Sequence, residues 1–185
     1  MHPTGVTAVI ESDVTLRDGT PVHIRAIRPE DDHVLVDLFK HLSPQSIYQR
    51  FFTAMPDLTP VMARYLANAH YSNRLALVAE SRGEMIGVGR YERTNDPGLV
   101  ELGLVVVDEW QGRGLGRILL RETVRAAEAN GIRRFRADVL AENRRMLKLL
   151  AEECEILSRK TEAGITSLLL TLRSQSTAGS DLPRP

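Results

Sequence analysis

The chain has 185 residues, 43% of them apolar and 26% charged, with no net charge at neutral pH. That length suits one domain with one substantial core. The neutral balance gives no broad electrostatic attraction to nucleic acid or to an anionic membrane, so neither is an expected partner. The first residues lack the basic start and long apolar core of a signal peptide, and no apolar run is long enough to span a bilayer. The single cysteine, Cys154, excludes an internal disulfide and fits a reducing cytoplasm, the expected location. The histidines, His2, His23, His33, His41 and His70, show no metal-ligand spacing, and no metal is expected.

Residues 1–13 read as a flexible leader to a domain spanning 14–172. Val14-Thr15-Leu16-Arg17 is a short strand candidate. Asp18-Gly19 signals a hairpin turn, and Val22 to Arg28 returns as a second strand. Pro29 stops the strand pattern and opens a helix, with Glu30, Asp31 and Asp32 favouring its N-terminal dipole. That helix runs to about His41, with Val34, Leu35, Leu38 and Phe39 on its inner face. Ser43-Pro44 caps and starts a second helix, which runs through Phe52. Thr59-Pro60 repeats the device for a third, ending near Asn68.

Strands from Leu75 to Glu80 and from Met85 to Arg93 flank the turn Arg82-Gly83-Glu84. Asn95-Asp96-Pro97-Gly98 turns the chain again. Leu99 to Val107 is an apolar strand, followed by a glycine-spaced loop and a helix that Asn130-Gly131 ends. A strand from Ile132 to Val139, a helix from Glu142 to Glu153 and a closing hairpin of Glu155 to Thr161 and Ile165 to Leu172 complete the domain. The tail over 173–185 is polar and rich in Ser, Gly and Pro, and disorder is expected there. The order gives a mixed sheet of the α/β class with helices on both faces.

Between the apolar strand and the long helix stands Gln111-Gly112-Arg113-Gly114-Leu115-Gly116-Arg117. A strand, a glycine-rich turn and a helix N-terminus in this order form an anion cradle, because unpaired N–H groups and the helix dipole point at one spot. The dinucleotide fingerprint G-x-G-x-x-G fails, since its third glycine position is Arg117. The Walker pattern is absent. What stands is Gln111-x-x-Gly114-x-Gly116. It resembles the acyl-CoA pyrophosphate loop of the GNAT N-acetyltransferase superfamily, Gln/Arg-x-x-Gly-x-Gly/Ala. An ordinary helix start with glycines for tight packing is the alternative.

The resemblance covers about Val22 to Leu172. It implies the GNAT fold: a central, mostly antiparallel sheet with a parallel pair, the fourth and fifth strands of that fold, and helices on both faces. It implies acetyl-CoA, or another short acyl-CoA, as cosubstrate. The implied contacts are Val105, Val106 and Val107 from the strand, Gln111, Gly112, Arg113, Gly114, Leu115, Gly116 and Arg117 from the loop, and Asn143. Asn143 opens the helix after the Ile132–Val139 strand, where the superfamily places an asparagine against the pantetheine arm or the phosphates; capping its own helix is the alternative. Arg144 and Arg145 are further candidates for phosphate contact, with Arg113 the best placed. Trp110 either shields the loop or anchors the turn by packing.

Three segments carry a narrower likeness: Ile24 to Asp32, Leu42 to Phe52 and the surroundings of Glu101. They resemble the bacterial Pat-type protein lysine acetyltransferases, with no fused regulatory domain expected within this length. The implied acceptor is a protein lysine, with a small-molecule amine as the other enzymatic reading and a non-catalytic acyl-CoA sensor as a third. A monomer or a homodimer is expected.

An amine attacks a thioester only when neutral, and a lysine amine has an ordinary pKa near ~10.4, so a base must take its proton. Glu101 is the candidate. Six strand steps from Glu101 to Val107 cover roughly 20 Å, comparable to an extended pantetheine arm. Flanked by Val100, Leu102 and Leu104, Glu101 is expected to be desolvated, with a raised pKa. A strand glutamate paired with an arginine such as Arg90, or facing water, is the alternative. Backbone N–H groups near Val105 and Val107 are expected to meet the pantetheine and the oxyanion. The general acid is unassigned: the tyrosine that many superfamily members carry seven residues after the asparagine is Leu150 here, so water or one of Tyr48, Tyr71 and Tyr91 supplies the proton, or the thiolate departs without help. Cys154 reads as a small buried hydrophobe rather than a nucleophile.

Overall fold

The computed structural model describes residues 11–69 and 74–173. Eight strands form one sheet: β1 (Glu11–Thr15), β2 (Pro21–Ala26), β3 (Arg74–Ser81), β4 (Glu84–Arg93), β5 (Leu99–Val106), β6 (Arg134–Leu140), β7 (Cys154–Glu162) and β8 (Ile165–Leu172). Five helices accompany them: α1 (Asp32–Lys40), α2 (Pro44–Phe51), α3 (Pro60–Ala67), α4 (Leu115–Ala129) and α5 (Arg144–Glu153). The strand order is β1-β2-β3-β4-β5-β6-β8-β7. Every neighbouring pair is antiparallel except β5 and β6. The expected parallel pair is therefore present, as the fifth and sixth strands in chain order.

Strand alternation divides the core into two layers. Leu75, Leu77 and Ala79 of β3 join Leu115, Leu119, Val124 and Ala127 of α4 and Leu150 of α5 on one face. Ala76 and Val78 join Leu35, Leu38 and Phe39 of α1, Ile47 of α2 and Ala63 and Ala67 of α3 on the other. The proline-led helices start as read: Ser43 Oγ accepts from Ser46 N at 3.2 Å and Thr59 Oγ1 from Met62 N at 3.3 Å. No described helix is long and apolar enough to cross a membrane.

Several boundaries shift by one or two residues from the sequence reading, and three differences have a physical reason. β1 starts at Glu11, so Glu11, Ser12 and Asp13 belong to the sheet; residues 1–10 lie outside the described residues. The early start rests on polar cross-strand pairs, His23 Nδ1 with Asp13 Oδ1 at 2.7 Å and His23 Nε2 with Glu11 Oε1 at 3.2 Å, which leave no apolar period to read. Pro29–Asp31 is a 3-10 turn ahead of α1 rather than its first turn. Arg173, read as the first tail residue, donates to the carbonyls of Ala151 at 2.6 Å and Cys154 at 3.2 Å at the end of α5. Residues 174–185 lie outside the described residues.

The 3-10 turn is held by a buried ion pair. Arg25 donates to Asp31 at 2.7 and 2.9 Å and also to Glu80, while the Arg28 N–H donates to Asp31 at 2.7 Å. Burial alone would raise the Asp31 carboxyl, but the bonds from Arg25 and Arg28 outweigh it and hold the group below its ordinary value. A depressed carboxylate contributes stability that is complete above its unfolded pKa and is lost as pH falls through the folded one. Asp31→Asn is expected to cost about 3 kcal/mol at pH 7 by urea denaturation. Below about pH 4 the wild type should lose stability more steeply than the variant, closing the gap.

Candidate functional site

β5 and β6 pair over only three positions, Leu99 with Arg134, Val100 with Phe135 and Glu101 with Arg136. Beyond them β5 stays with β4 as far as Val106, and β6 stays with β8 as far as Leu140. Each strand is held by its outer neighbour while the two part. The opening is a cleft walled by Leu102 to Val106 on one side and Ala137, Asp138 and Val139 on the other, with Gln111, Gly112, Gly116 and Asn143 at its far end.

The backbone groups of β5 that face this opening follow from alternation. Val107 N–H donates to Ile86 O at 3.0 Å, so Val107, and with the same parity Val105, Gly103 and Glu101, give their N–H groups to β4. The Glu101–Arg136 pairing takes the Leu102 N–H, so the free N–H groups of this edge belong to Leu104 and Val106. The expectation for N–H groups near Val105 and Val107 is thus off by one residue. Val105 and Val106 line the cleft, whereas Val107 is buried in the α1–α3 layer and lines none of it.

The glycine loop has the backbone geometry of an anion cradle. Gly112 and Gly114 have φ of 80° and 94°, the left-handed region that glycine adopts without strain. Among the described residues, the N–H groups of Gly112, Arg113, Gly114, Leu115 and Gly116 meet no acceptor. Five successive free donors at the positive end of a 15-residue helix suit a diphosphate. Leu115 contributes only backbone, since its side chain is in the core. Arg145 donates to Gln111 Oε1 at 3.0 Å and sits at the rim beside Gly112. Arg17, from the turn after β1, lies beside Gly114 and was not anticipated.

Other side chains do different work from that expected. Gln111 faces inward: its Nε2 donates to Val106 O at 3.0 Å and to Ser46 Oγ at 3.1 Å, bracing the loop on β5 and α2. Arg117 is tied to Glu152 and Glu153 of α5, away from the cradle. Arg113 lies over the Trp110 ring at 4.8 Å and 3.4 Å from Asp18. Trp110 itself packs against both core layers, which is the anchoring role. Asn143 Oδ1 caps α5 through Met146 N at 3.1 Å, leaving its amide N–H groups toward the cleft.

Glu101 stands where the strands part, but it is not desolvated. Its side chain is 50% exposed and pairs with Arg136 Nη2 at 2.7 Å. The apolar neighbours Val100, Leu102 and Leu104 point to the α4 face, and Glu101 points to the other with Gly103. Its arginine partner is Arg136 across the parallel pair rather than Arg90, which donates to Glu92 at 3.1 Å. Asp138, a second carboxylate on the Arg136 face of β6, was missed. Its Oδ2 is 3.7 Å from Arg136 Nε, and its Oδ1 is buried with no hydrogen-bond partner.

Two of the general-acid candidates, Tyr91 and Tyr48, fall away. Tyr91 is fully buried, with its hydroxyl accepting from Asn130 at 3.1 Å, and Tyr48 is exposed outside the cleft. Tyr71 lies outside the described residues. Cys154 is in the core, its thiol pushed up to about 11 by burial and the nearby Glu153.

The chain belongs to the acetyltransferase (GNAT) family, whose model matches residues 37–155, and is an N-acetyltransferase. Acetyltransferase PA5475 of Pseudomonas aeruginosa is 31% identical over 149 residues, covering 77% of this chain and 80% of that protein. Acetyltransferase Pat of Mycolicibacterium smegmatis is 27% identical over 140 residues, covering 74% of this chain; this chain spans 42% of that relative's length. The GNAT domain of S. lividans PAT superposes with a TM-score of 0.81 at 31% identity, over 93% of this chain and all of that domain. The fold is also that of the Salmonella typhimurium protein yncA, solved with its cofactor acetyl-CoA, at a TM-score of 0.67 and 19% identity over 86% of this chain and 98% of that one.

Asp108 links the cradle to α2. It accepts from Ser43 N at 2.9 Å, Ser43 Oγ at 2.7 Å and Ser46 Oγ at 2.9 Å. Burial works to raise its carboxyl, but these bonds win and hold it below its ordinary value. Because the residue is exposed to water, Asp108→Asn is expected to cost only about 1 kcal/mol in urea denaturation. Its larger effect should be local: faster amide exchange at Ser46 and Ile47, measured by native-state hydrogen exchange.

Proposed function

We propose that the cleft takes acetyl-CoA, or another short acyl-CoA, and transfers the acyl group directly to the side chain of a protein lysine. The observation that carries this reading is the pairing of two features in one cleft. Five free N–H donors stand at one end, and an ion-paired carboxylate, Glu101, stands where the strands part. The distance between them suits the pantetheine arm, roughly 20 Å of strand. The resemblance to Pat-type enzymes supports the lysine acceptor, and the likeness to the PAT domain supports the same grouping.

In this mechanism the diphosphate rests on Gly112 to Gly116. The pantetheine meets the free strand edge at Leu104 and Val106, where N–H groups also stabilise the oxyanion. The neutral amine attacks the thioester carbon. Glu101, oriented by Arg136 and half-exposed, takes the ammonium proton before attack and passes it to water, and the second N–H proton released on attack leaves by the same route. The C–S bond then breaks. No tyrosine among the described residues lines the cleft. A thiol with a pKa near ~8.5 leaves as thiolate without a dedicated acid.

Glu101→Gln is expected to keep its acetyl-CoA Kd while kcat falls by about 10²–10⁴. An unchanged kcat/KM would remove Glu101 from the chemistry. Gly114→Ala places a side chain at φ 94° and should weaken acetyl-CoA binding by about tenfold or more in calorimetry. Mass spectrometry of a host protein extract incubated with enzyme and acetyl-CoA tests the acceptor: new acetyl-lysines are expected, and their absence alongside acetylation of small amines contradicts the protein-lysine reading.

A further inference from the structure

The cleft holds a cation that this mechanism does not use. Arg50 extends from α2 onto the backbone of β5, where a Cβ at Gly103 would lie 2.5 Å from its Nη2. The glycine is what lets the guanidinium rest there. Its central carbon is 5.2 Å from the Phe51 ring. Among the described residues it has no hydrogen bond and no ion pair. The carboxylates around it are engaged elsewhere: Glu92 with Arg90 at 3.1 Å and Arg74 at 3.8 Å, and Glu101 with Arg136. The acceptor end thus gathers four arginines, Arg50, Arg74, Arg90 and Arg136, and three carboxylates, Glu92, Glu101 and Asp138.

Burial, with the charge of Arg90 next, pushes the Arg50 guanidinium down to about 10. It remains charged at neutral pH, and a half-buried cation without a partner among the described residues gains from a counter-anion. The phosphates of a CoA are too far to serve. They belong at Gly112 to Gly116, and the strand climbs roughly 13 Å from Gly103 to Val107 alone. The pantetheine amides and the thioester that pass Gly103 are neutral.

We propose that Arg50 binds a carboxylate of the acceptor, so that the favoured amines carry a carboxylate near the reacting nitrogen. This rests on the acetyl-transfer reading above. Glu101 and Gly103 lie on one face of β5, about 7 Å apart, so one acceptor reaches both the base and Arg50. An acidic residue beside a peptide lysine supplies such a carboxylate, and so does the α-carboxylate of a free amino acid.

The test is an NMR titration of the CoA-loaded protein with two matched pairs. One pair is acetyl-Glu-Lys-Glu-amide and acetyl-Gln-Lys-Gln-amide; the other is lysine and lysinamide. The carboxylate member of at least one pair should bind about tenfold tighter or better, and the pair that shows this identifies the source. Arg50→Gln should abolish the preference. Gly103→Ala, which keeps the charge but displaces the guanidinium, should do the same with the fold intact. Equal binding within both pairs, or a preference that survives Arg50→Gln, overturns the proposal. Acetyl transfer is followed in parallel with the same four compounds. A binding preference without transfer upholds the carboxylate site and counts against the transfer reading instead.

Discussion

The separation of β5 from β6 after Glu101 is the constraint on which the rest of the site depends. A sheet edge in the middle of a domain leaves backbone donors and acceptors without partners, and such groups are costly unless something meets them. Here the ladders to β4 and β8 run on past the point where the two strands part, so each strand at the gap is held from its far side. The freed edge of β5, with open N–H groups at Leu104 and Val106, faces that gap. Gln111 satisfies one carbonyl of that edge, Val106 O, and in doing so seats the glycine loop at the mouth of the gap. The remaining groups face the cleft.

Electrostatics divides that cleft into two unlike ends. At the loop end the donors are backbone N–H groups and a helix dipole, with Arg17 and Arg145 at the rim. At the other end the groups are ionic side chains on the α1–α3 face of the sheet, arranged by register. Arg74 pairs with Glu92 across β3 and β4, Glu92 faces Glu101 across β4 and β5, and Glu101 faces Arg136 across β5 and β6. Two carboxylates directly opposite one another repel, and the flanking arginines compensate them. α2 is fastened to this region through Asp108, Ser43, Ser46 and Gln111, so the helix that carries Arg50 and the loop that forms the cradle move as one body.

Much of this was legible in the sequence, for physical reasons. Proline-led caps at Ser43 and Thr59, the Asp18-Gly19 and Asn130-Gly131 turns and the apolar periods locate nearly every element within two or three residues. The glycine loop is legible because only glycine takes φ near 80–94° freely, so the spacing records the backbone shape directly. What the sequence obscured is direction. Glu101 looked buried because its chain neighbours are apolar, yet strand neighbours point to the opposite face. The same one-residue alternation misplaced the N–H groups at Val105 and Val107. Gln111, Arg113 and Arg117 sit in the motif, but their partners, Ser46, Asp18 and Glu153, come from distant segments. Arg50 had one local signal, a glycine inside an otherwise apolar strand at Gly103, which marks a close approach without naming what approaches.

The central claim is that the parted strands and the glycine loop form a single acyl-CoA site. Backbone amide NMR during an acetyl-CoA titration tests it most directly. The largest shift changes should fall together on Gly112 to Gly116 and on Leu104 and Val106, saturating with one Kd. Changes confined to another surface, or a loop that responds while the strand edge does not, would contradict the account.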